Sequence, residues 1–517
     1  MKKIFLSILT IVSMLSLKAM ALTAQENCAA HSSNCIQKGD VYYAVDSQGK
    51  MTVYGPTEGE GVSVGNYAFS GMTGVSEIEI TGNISSIGYE SFAGMTGVTE
   101  LNIPSSVTSI GKDAFYGMTG ITELTIPSTV TSIDTGAFRN MPNVTSLTVD
   151  NPLETGAYRQ LTGVKDIIIG DSVTTIPSGL FSGMKSVETI NIPDTVTPIG
   201  YQSFSGMTGV KEITIPNSVT SIGPEAFVGM TGVTELNIPS SVTSIGREAF
   251  YGMTGITELT IPSTVTSIDS RAFQNMPNVT SLTVDNPLAT DAYRQLTGVK
   301  DIIIGDSVTT IPSGLFSGMK SVETITIPDT VTSIGYQSFS GMTGVKEITI
   351  PNSVTSIGQE AFLGMTGVTE LNIPSSVTSI GREAFYGMTG LKSLVIPDGV
   401  PIGQNAFSGV NLSSFKGSAE SLQKFLNASG VFVTDGDIQM NCTSGDCKAV
   451  LDAWDKRKGT TYASRMTTRI EVGNADGSIN VYKNGKLTGF KNKRIYTVNE
   501  AELLSKPTGN KFKVRYK

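Results

Sequence analysis

The sequence predicts a repeat solenoid, in which parallel β-strands and short helical turns stack along one axis. Three observations predict this fold: a period of about 23 residues, an apolar pattern fixed within that period, and a longer period that covers a whole block of repeats. A fixed period of 20–30 residues is typical of solenoids, and it outweighs local secondary-structure preferences.

An aromatic residue marks each repeat. The markers are Phe69, Phe92, Phe115, Phe138, Tyr158, Phe181, Phe204, Phe227, Phe250, Phe273, Tyr293, Phe316, Phe339, Phe362, Phe385 and Phe407. The step between markers is constant at about 23 residues, and it is shorter only before each Tyr and before the last Phe. The 16 markers predict a solenoid of about 16 turns over residues 66–410.

A block of repeats is itself repeated. The string VTELNIPSSVTSIG begins at Val98, Val233 and Val368, so the two intervals between its copies are equal. Tandem duplication of a six-repeat block accounts for this spacing. Identity between the copies therefore reflects ancestry, and it is weak evidence that an exposed position is functional.

Within one repeat, the apolar residues predict a short strand. Leu101 and Ile103 are two residues apart, so a strand turns both to one face and Asn102 to the other. Pro104 has no N–H and ends the strand.

The rest of the repeat predicts a second extended segment and a corner. Residues 107–110 form the second segment, and Ala114–Phe115 fit one turn of helix with the ring inward. Gly117 and Gly120 then make the corner that leads to the next strand.

The repeated string L-x-I-P-x-S-V-T-S-I-G-x-x-A-F-x-G-M resembles the BspA-type leucine-rich repeats of bacterial surface proteins, over about residues 61–409. The resemblance implies a leucine-rich repeat solenoid, and residues 41–55 resemble the hairpin that opens such proteins. It also implies attachment to host matrix proteins or to other bacteria. Where such proteins often carry Cys, this chain has Met95, Met118, Met207 and Met230.

Outside the repeats, three segments are distinguished. Residues 1–21 carry Lys2-Lys3, an apolar run and Ala19-Met20-Ala21, which predict a secretory signal peptide and export. Residues 22–65 predict an N-terminal cap with a β-hairpin that turns near residues 47–49. No other stretch is apolar enough to predict a transmembrane segment.

Residues 411–517 predict a small β-rich module. The elements expected are a helix over Ser418–Asn427, a hairpin over Gly477–Phe490 with its turn at Asn484-Gly485, strands at residues 494–498 and 512–517, and an acidic helix around residues 500–502.

Charge differs between the two parts of the chain. Residues 411–517 hold 18 Lys and Arg against 10 Asp and Glu, whereas residues 1–410 hold 19 against 35. Net charges of +8 and −16 favour different partners for the two parts, for example an acidic envelope polysaccharide for the basic module. The alternative is that the basic charges are simply solvated. Nucleic acid is not an expected partner for an exported chain.

Four cysteines form two close pairs, Cys28 with Cys35 and Cys442 with Cys447. In an exported chain this spacing favours two local disulfides. The alternatives are free thiols or a metal site, but neither spacing is a common zinc spacing and His31 is the only histidine.

The residue types argue against catalysis. One histidine in 517 residues excludes His-based triads and metal sites over most of the chain, and no phosphate-binding Gly-rich motif is present. We therefore expect no enzymatic activity and no cofactor.

The outward strand positions form the candidate binding face. It combines an acidic position before the inward residue with the polar position after it. The residues are Glu100, Asn102, Glu123, Thr125, Glu212, Glu235, Asn237, Glu258, Glu347, Glu370 and Asn372. Stacked carboxylates of this kind dock basic protein segments or coordinate calcium. The alternative is that Thr and Asn suit strands and the acids keep the array soluble.

A second set of residues is aromatic: Tyr116, Tyr251 and Tyr386 follow their markers and are expected to point outward, too far apart for a continuous contact surface. The sequence thus predicts a secreted or cell-surface, adhesin-like protein that binds an extracellular protein through the repeat face. The alternative is a passive spacer that presents a C-terminal envelope- or glycan-binding module.

Overall fold

The computed structural model describes residues 22–150, 156–285, 291–429, 438–461, 466–473, 479–483, 486–491, 494–496 and 513–514. It divides into two compact units, Met1–Ile256 and Thr257–Lys517. The predicted signal peptide lies outside the described residues.

The first unit opens with a helix and a hairpin. Helix α1 (Ala24–His31) begins after Thr23, whose side chain accepts a hydrogen bond from the Glu26 N–H while the Glu26 carboxylate accepts one from the Thr23 N–H. A disulfide joins Cys28 to Cys35. Three antiparallel strands follow: β1 (Ile36–Lys38), β2 (Val41–Val45) and β3 (Lys50–Tyr54).

The repeats of the first unit place strands in two rows. The first row extends β3 in parallel and contains β5 (Glu77–Thr81), β7 (Glu100–Asn102), β9 (Glu123–Ile126), β11 (Ser146–Val149), β12 (Asp166–Ile169) and β13 (Thr189–Asn191). The second row contains β4 (Val62–Val64), β6 (Ile84–Ile87), β8 (Ser109–Ile110), β10 (Ser132–Ile133), β14 (Pro198–Ile199), β15 (Ser221–Ile222) and β16 (Ser244–Ile245). Pairing in both rows is parallel, and it is in register except where β4 meets β6, whose register shifts between Val62 and Ser63.

The second unit repeats this arrangement. Its first row contains β17 (Glu258–Ile261), β19 (Ser281–Val284), β20 (Asp301–Ile304), β22 (Thr324–Thr326), β25 (Glu370–Asn372), β27 (Ser393–Val395), β28 (Ser414–Gly417), β29 (Ile438–Cys442) and β30 (Met466–Gly473). Its second row contains β18 (Ser267–Ile268), β21 (Thr310–Ile311), β23 (Ser333–Ile334), β24 (Ser356–Ile357) and β26 (Ser379–Ile380).

The parallel pairing does not end at residue 410. Strands β28, β29 and β30 add to β27 in parallel, so the basic segment begins as a continuation of the first row. Helix α2 (Ala419–Ser429) covers the predicted helix, and helix α3 (Cys447–Lys458), which the sequence analysis missed, is held by the Cys442–Cys447 disulfide. The chain then forms antiparallel strands β31 (Ile479–Lys483), β32 (Lys486–Lys491), β33 (Arg494–Tyr496) and β34 (Lys513–Val514). The predicted turn at residues 484–485 and the acidic helix near 500–502 lie outside the described residues.

A column of stacked aromatic rings fills the core of each unit. In the first unit, ring centroids are 5.3–6.3 Å apart from Phe69 to Phe250, and Tyr43 of the hairpin lies edge-on against Phe69 at 5.1 Å. In the second unit the column extends from Tyr293 to Phe407, where Phe425 of α2 covers the last ring at 5.5 Å. Residues outside the repeats therefore cover one end of each column, Tyr43 in the first unit and Phe425 in the second.

The marker residues lie in a series of hydrogen-bonded turns. Around Phe115, alternate N–H groups bond to carbonyls three residues back, whereas those of Phe115 and Gly117 donate to carbonyls of the next turn. Asp113 has φ +54° and interrupts a continuous helix. Continuous 3₁₀ helix appears in the shortened repeats that carry Tyr, at Ala157–Gln160 and Ala292–Gln295. The short repeats thus shift the backbone from turn to helix.

The two glycines of the corner after Phe115 are required for different physical reasons. Gly117 adopts φ +70°, where an L side chain is strained. Gly120 has no such φ, but a Cβ there would overlap the Val98 carbonyl oxygen of the preceding turn. Gly74, which holds the equivalent position after the first marker, meets nothing within 4 Å. Close stacking of turns therefore requires the glycine at position 120.

Candidate binding face

The eleven residues predicted for the binding face are all exposed to solvent. Inward side chains between them are buried, as at Leu124 and Ile126 beside Glu123 and Thr125, because the strand alternates. We call the outward side of the first row the strand face.

Hydrogen bonding holds only part of the strand face in register. Glu77 is aligned with Glu100, and Glu123 is aligned through Ser146 with Asp166. Other parts of the strand face lie outside any strand, although their side chains are still exposed. These parts are residues 211–216, 234–239 and 346–351, which carry Glu212, Glu235, Asn237 and Glu347. The carboxylates therefore form several short ladders rather than one continuous ladder.

Ion pairs neutralise the strand face at defined places. Lys50 Nζ lies 2.7 Å from Glu77 and 3.0 Å from Glu79, and these hydrogen bonds, Glu77 first, raise the pKa of Lys50 above its ordinary value. Lys165 pairs with Glu188 at 2.6 Å, and Lys300 with Glu323 at 2.7 Å. Among the described residues, the seven glutamates predicted for the face form no ion pair.

Two open grooves lie on the strand face. One, of about 440 Å³ in the second unit, is lined by Glu347, Thr349, Glu370, Asn372 and Ser393, so three predicted residues meet there. The other, of about 580 Å³ in the first unit, lies beside β12 and β13. Both are shallow surfaces suited to a peptide or a loop.

The sequence analysis missed one feature of the strand face. Ile168 of β12 and Ile303 of β20 occupy an outward position that Thr or Asn fills in both neighbouring strands, and both are more than two-fifths exposed. The signal was present in the sequence, since three consecutive Ile in Asp-Ile-Ile-Ile require the middle one to face outward.

The turns around the aromatic markers, which we call the turn edge, carry a separate polar arrangement that includes Gln202, Glu225, Gln337 and Glu360. Glu225 accepts a hydrogen bond from Gln202 at 2.7 Å, and Glu360 accepts one from Gln337 at 2.6 Å. Hydrogen bonds from Gln359 and Gln337 lower the pKa of Glu360. Tyr116 and Tyr386 are exposed at 37% and 44%, whereas Tyr251 is half-buried.

The repeats are similar to a known family. A model described as "BspA type Leucine rich repeat region (6 copies)" matches residues 62–185, 151–280 and 286–413. The chain belongs to the BspA-type leucine-rich repeat family. The fold is accordingly a parallel-strand leucine-rich repeat solenoid of about 16 turns with a 23-residue period, which confirms the fold predicted from the sequence.

Solved structures of bacterial leucine-rich repeat proteins are similar at low identity. A leucine-rich repeat protein from Bacteroides ovatus is 24% identical, with a TM-score of 0.43, over 71% of this chain and 95% of that chain. A leucine-rich cell surface protein from Faecalibacterium prausnitzii is 20% identical, with a TM-score of 0.26, over 79% and 96%. A leucine-rich repeat protein from Eubacterium ventriosum is 22% identical, with a TM-score of 0.31, over 66% and 95%.

No functionally curated protein matches the chain. Within the described part of the chain, no cluster of three or more His, Cys, Asp and Glu residues is arranged to hold a metal ion. In that same part, every helix is too short or too polar to span a bilayer.

Proposed function

We propose that this protein is an exported, adhesin-like binding protein that uses its strand face to hold a protein of the host matrix or of another bacterial surface. The observation that carries the proposal is the exposure of all eleven predicted residues, with seven glutamates that form no ion pair among the described residues. Unpaired surface carboxylates attract and orient a basic partner at little cost to folding.

Export is supported by two independent features. The N-terminal 21 residues have the composition of a secretory signal, and both cysteine pairs are disulfide-bonded. Disulfides persist in oxidising compartments outside the cytosol.

Binding rather than catalysis is also supported by the site chemistry. His31, the single histidine, lies in the cap, where its Nδ1 is 2.8 Å from the Asn27 carbonyl oxygen and its ring stacks on Tyr54. The strand-face grooves are open and lined by Thr, Asn, Ser and carboxylates. Such surfaces fit protein recognition better than proton transfer, which needs an enclosed pair of groups.

The test compares two variants with the same change of charge. The strand-face variant carries Glu212→Gln, Glu235→Gln, Glu347→Gln and Glu370→Gln. The control variant carries Glu225→Gln, Glu248→Gln, Glu360→Gln and Glu383→Gln at the turn edge. Gln202 and Gln337 already occupy equivalent turn-edge positions, so the control is compatible with the fold.

Binding of the exported chain to purified fibronectin, laminin and collagen is measured at low and at physiological salt. At about 0.2–1 kcal/mol for each exposed charge pair, the loss of four pairs costs about 0.8–4 kcal/mol, so the strand-face variant loses roughly fourfold or more in affinity at low salt. The control retains the affinity of the unaltered chain. Equal affinities of all three proteins contradict the proposal.

A second candidate function is favoured by the +8 net charge of residues 411–517. In this alternative the repeats are a spacer, and the basic strands bind an acidic envelope polysaccharide. The test variant carries Lys486→Gln, Lys491→Gln and Arg494→Gln, because removal of the whole segment would expose the edge of β27. Loss of cell attachment in this variant, with attachment intact in the strand-face variant, favours the spacer.

A further inference from the structure

Each unit presents one exposed isoleucine at an outward position where the two neighbouring strands carry Thr or Asn. Ile168 is aligned between Thr148 and Asn191, and it is 44% exposed. The fold does not require an apolar residue at this position, since the neighbouring strands carry Thr or Asn there and Thr suits a strand equally well.

The second unit contains the same arrangement. Ile303 is aligned between Thr283 and Thr326, and it is 42% exposed. The two isoleucines are therefore equivalent sites, one in each unit.

The charges next to each isoleucine are largely satisfied by neighbours. In the first unit, the Lys165 ammonium donates to Glu188 at 2.6 Å, and the Thr189 hydroxyl donates to Asp166 at 2.5 Å. In the second unit, Lys300 and Thr324 make the same contacts with Glu323 and Asp301. The two ion pairs neutralise Lys165 and Lys300 together with their glutamates, whereas Asp166 and Asp301 are bonded to a neutral hydroxyl and keep their negative charge.

Two carboxylates beside Ile168 remain available. Asp171 and Asp194 are exposed, and within the described residues neither forms an ion pair. Both line the groove of about 580 Å³ together with Ile168, Asn191, Thr214 and Pro216. Asp306 and Asp329 hold the same places in the sequence around Ile303, and both are exposed.

This combination selects one class of partner. An extended segment turns alternate side chains to the same face, so an apolar residue and a Lys or Arg two positions away approach the groove together. The apolar side chain loses water against Ile168, and the cation meets Asp171 or Asp194. An acidic segment would meet unpaired carboxylates, and a purely polar one would leave the isoleucine in water.

Resting on the proposed function of the strand face, we propose that Ile168 and Ile303 are the anchor points for an extended segment of a partner protein that carries an apolar residue and a Lys or Arg two positions apart. The aspartates set the charge and direction of the segment, and the isoleucines supply the apolar contact.

The first experiment uses three fluorescent octapeptides as probes of the unaltered exported chain. The Lys–Leu peptide is Lys-Ser-Leu-Ser-Lys-Ser-Leu-Ser, which turns Lys and Leu to the same face when extended. The Lys–Ser peptide replaces each Leu by Ser, and the Glu–Leu peptide replaces each Lys by Glu. Fluorescence polarisation at physiological salt should give the tightest binding for the Lys–Leu peptide. Equal binding of the Lys–Ser peptide overturns the apolar contact, and equal binding of the Glu–Leu peptide overturns the role of the aspartates.

The second experiment locates the binding site with matched variants. Ile168→Thr with Ile303→Thr restores the residue found at neighbouring strand positions. It should weaken Lys–Leu binding about tenfold, which corresponds to about 1.4 kcal/mol. The control carries Tyr201→Ser and Tyr336→Ser, which remove one equally exposed apolar side chain (44%) from the turn edge of each unit. The control should bind as the unaltered chain does.

The outcomes separate this proposal from the proposed function. If the threonine variant binds the Lys–Leu peptide as tightly as the unaltered chain, the isoleucines are not the anchors and the proposal is overturned. If the four-glutamine strand-face variant nevertheless loses affinity for matrix proteins, the proposed function stands. If the threonine variant keeps its affinity for the Lys–Leu peptide and the four-glutamine variant keeps its affinity for matrix proteins, both proposals are overturned.

Discussion

The stacked ring column leads to a sharp prediction for stability. Phe362 is fully buried, and its ring lies 5.3 Å from Phe339 and 5.2 Å from Phe385. Phe362→Ala removes the ring and leaves a gap in the column of the second unit.

The size of the loss follows from the packing. Truncation of a buried Phe to Ala costs about 3–5 kcal/mol of stability. We expect a value near 4 because ring contacts are lost on both sides of residue 362. In a solenoid each turn contacts only its neighbours, so the loss should be concentrated in the turns next to residue 362.

Native-state hydrogen exchange measures this local loss. About 4 kcal/mol corresponds to roughly a thousandfold faster exchange for amides that open with this part of the stack. The matched control is Tyr386→Ala, which removes an aromatic ring that is 44% exposed and adjacent to Phe385. We expect less than about 0.5 kcal/mol there.

Two results would refute the reasoning. One is a loss below about 1 kcal/mol for Phe362→Ala, which would mean that the column does not hold the turns together. The other is a loss from Tyr386→Ala as large as that from Phe362→Ala, which would mean that burial does not decide the effect.

Further predictions concern the corners, a buried hydroxyl and the cap. Gly120→Ala should lower the free energy of unfolding more than Gly117→Ala, for which the left-handed φ alone costs about 1–2 kcal/mol. Urea unfolding measures both losses, and a larger loss for Gly117→Ala contradicts the close contact behind Gly120. Tyr293 is fully buried and its hydroxyl lacks a hydrogen-bond partner in the described structure, so Tyr293→Phe should stabilise by about 1 kcal/mol; a loss of stability contradicts this. Burial raises the pKa of Tyr293, so the folded state keeps the phenol neutral where the unfolded state ionises it. The free energy of unfolding is therefore unaffected below the unfolded pKa of about 10 and falls at higher pH. The fall in unfolding midpoint above pH 10 should therefore be smaller in Tyr293→Phe. Replacing Cys28 and Cys35 by Ser should cost about 2 kcal/mol, with new proteolysis confined to the cap, and cleavage spread over the repeats contradicts a local role.

The repeat region could be predicted in detail because its physical constraints recur. Period, inward apolar positions and corner glycines each appear many times in the sequence, so local and global signals agree. The close approach behind Gly120 could not be predicted, since it depends on the distance between neighbouring turns.

The ends were harder to predict because they occur once. Helix α1 was not predicted because it has no apolar period, although it has a capping box at Thr23 and Glu26. Helix α3 was not predicted either, although its buried residues Cys447, Leu451 and Trp454 follow a helical spacing, Asp446 caps it and Gly459 ends it. The continuation of the first row through β28 and β29 could not be read from a repeat pattern that ends at Phe407.

For the candidate site, exposure could be predicted but pairing could not. Alternation along a strand fixes which side chains face outward, as at Glu123 and Thr125. Neutralisation by Lys50 and Lys165 depends on cross-strand neighbours, which only the register of the strands specifies.

The most direct test of the central claim is carboxyl-group labelling of the exported chain, with and without a saturating bound matrix protein, read residue by residue by mass spectrometry. The account predicts that the bound protein slows labelling of strand-face carboxylates such as Glu212, Glu235, Glu347 and Glu370. Labelling of the turn-edge residues Glu225 and Glu360 should not change. Protection confined to residues 411–517 or to the turn edge would contradict the claim that the strand face is the binding surface.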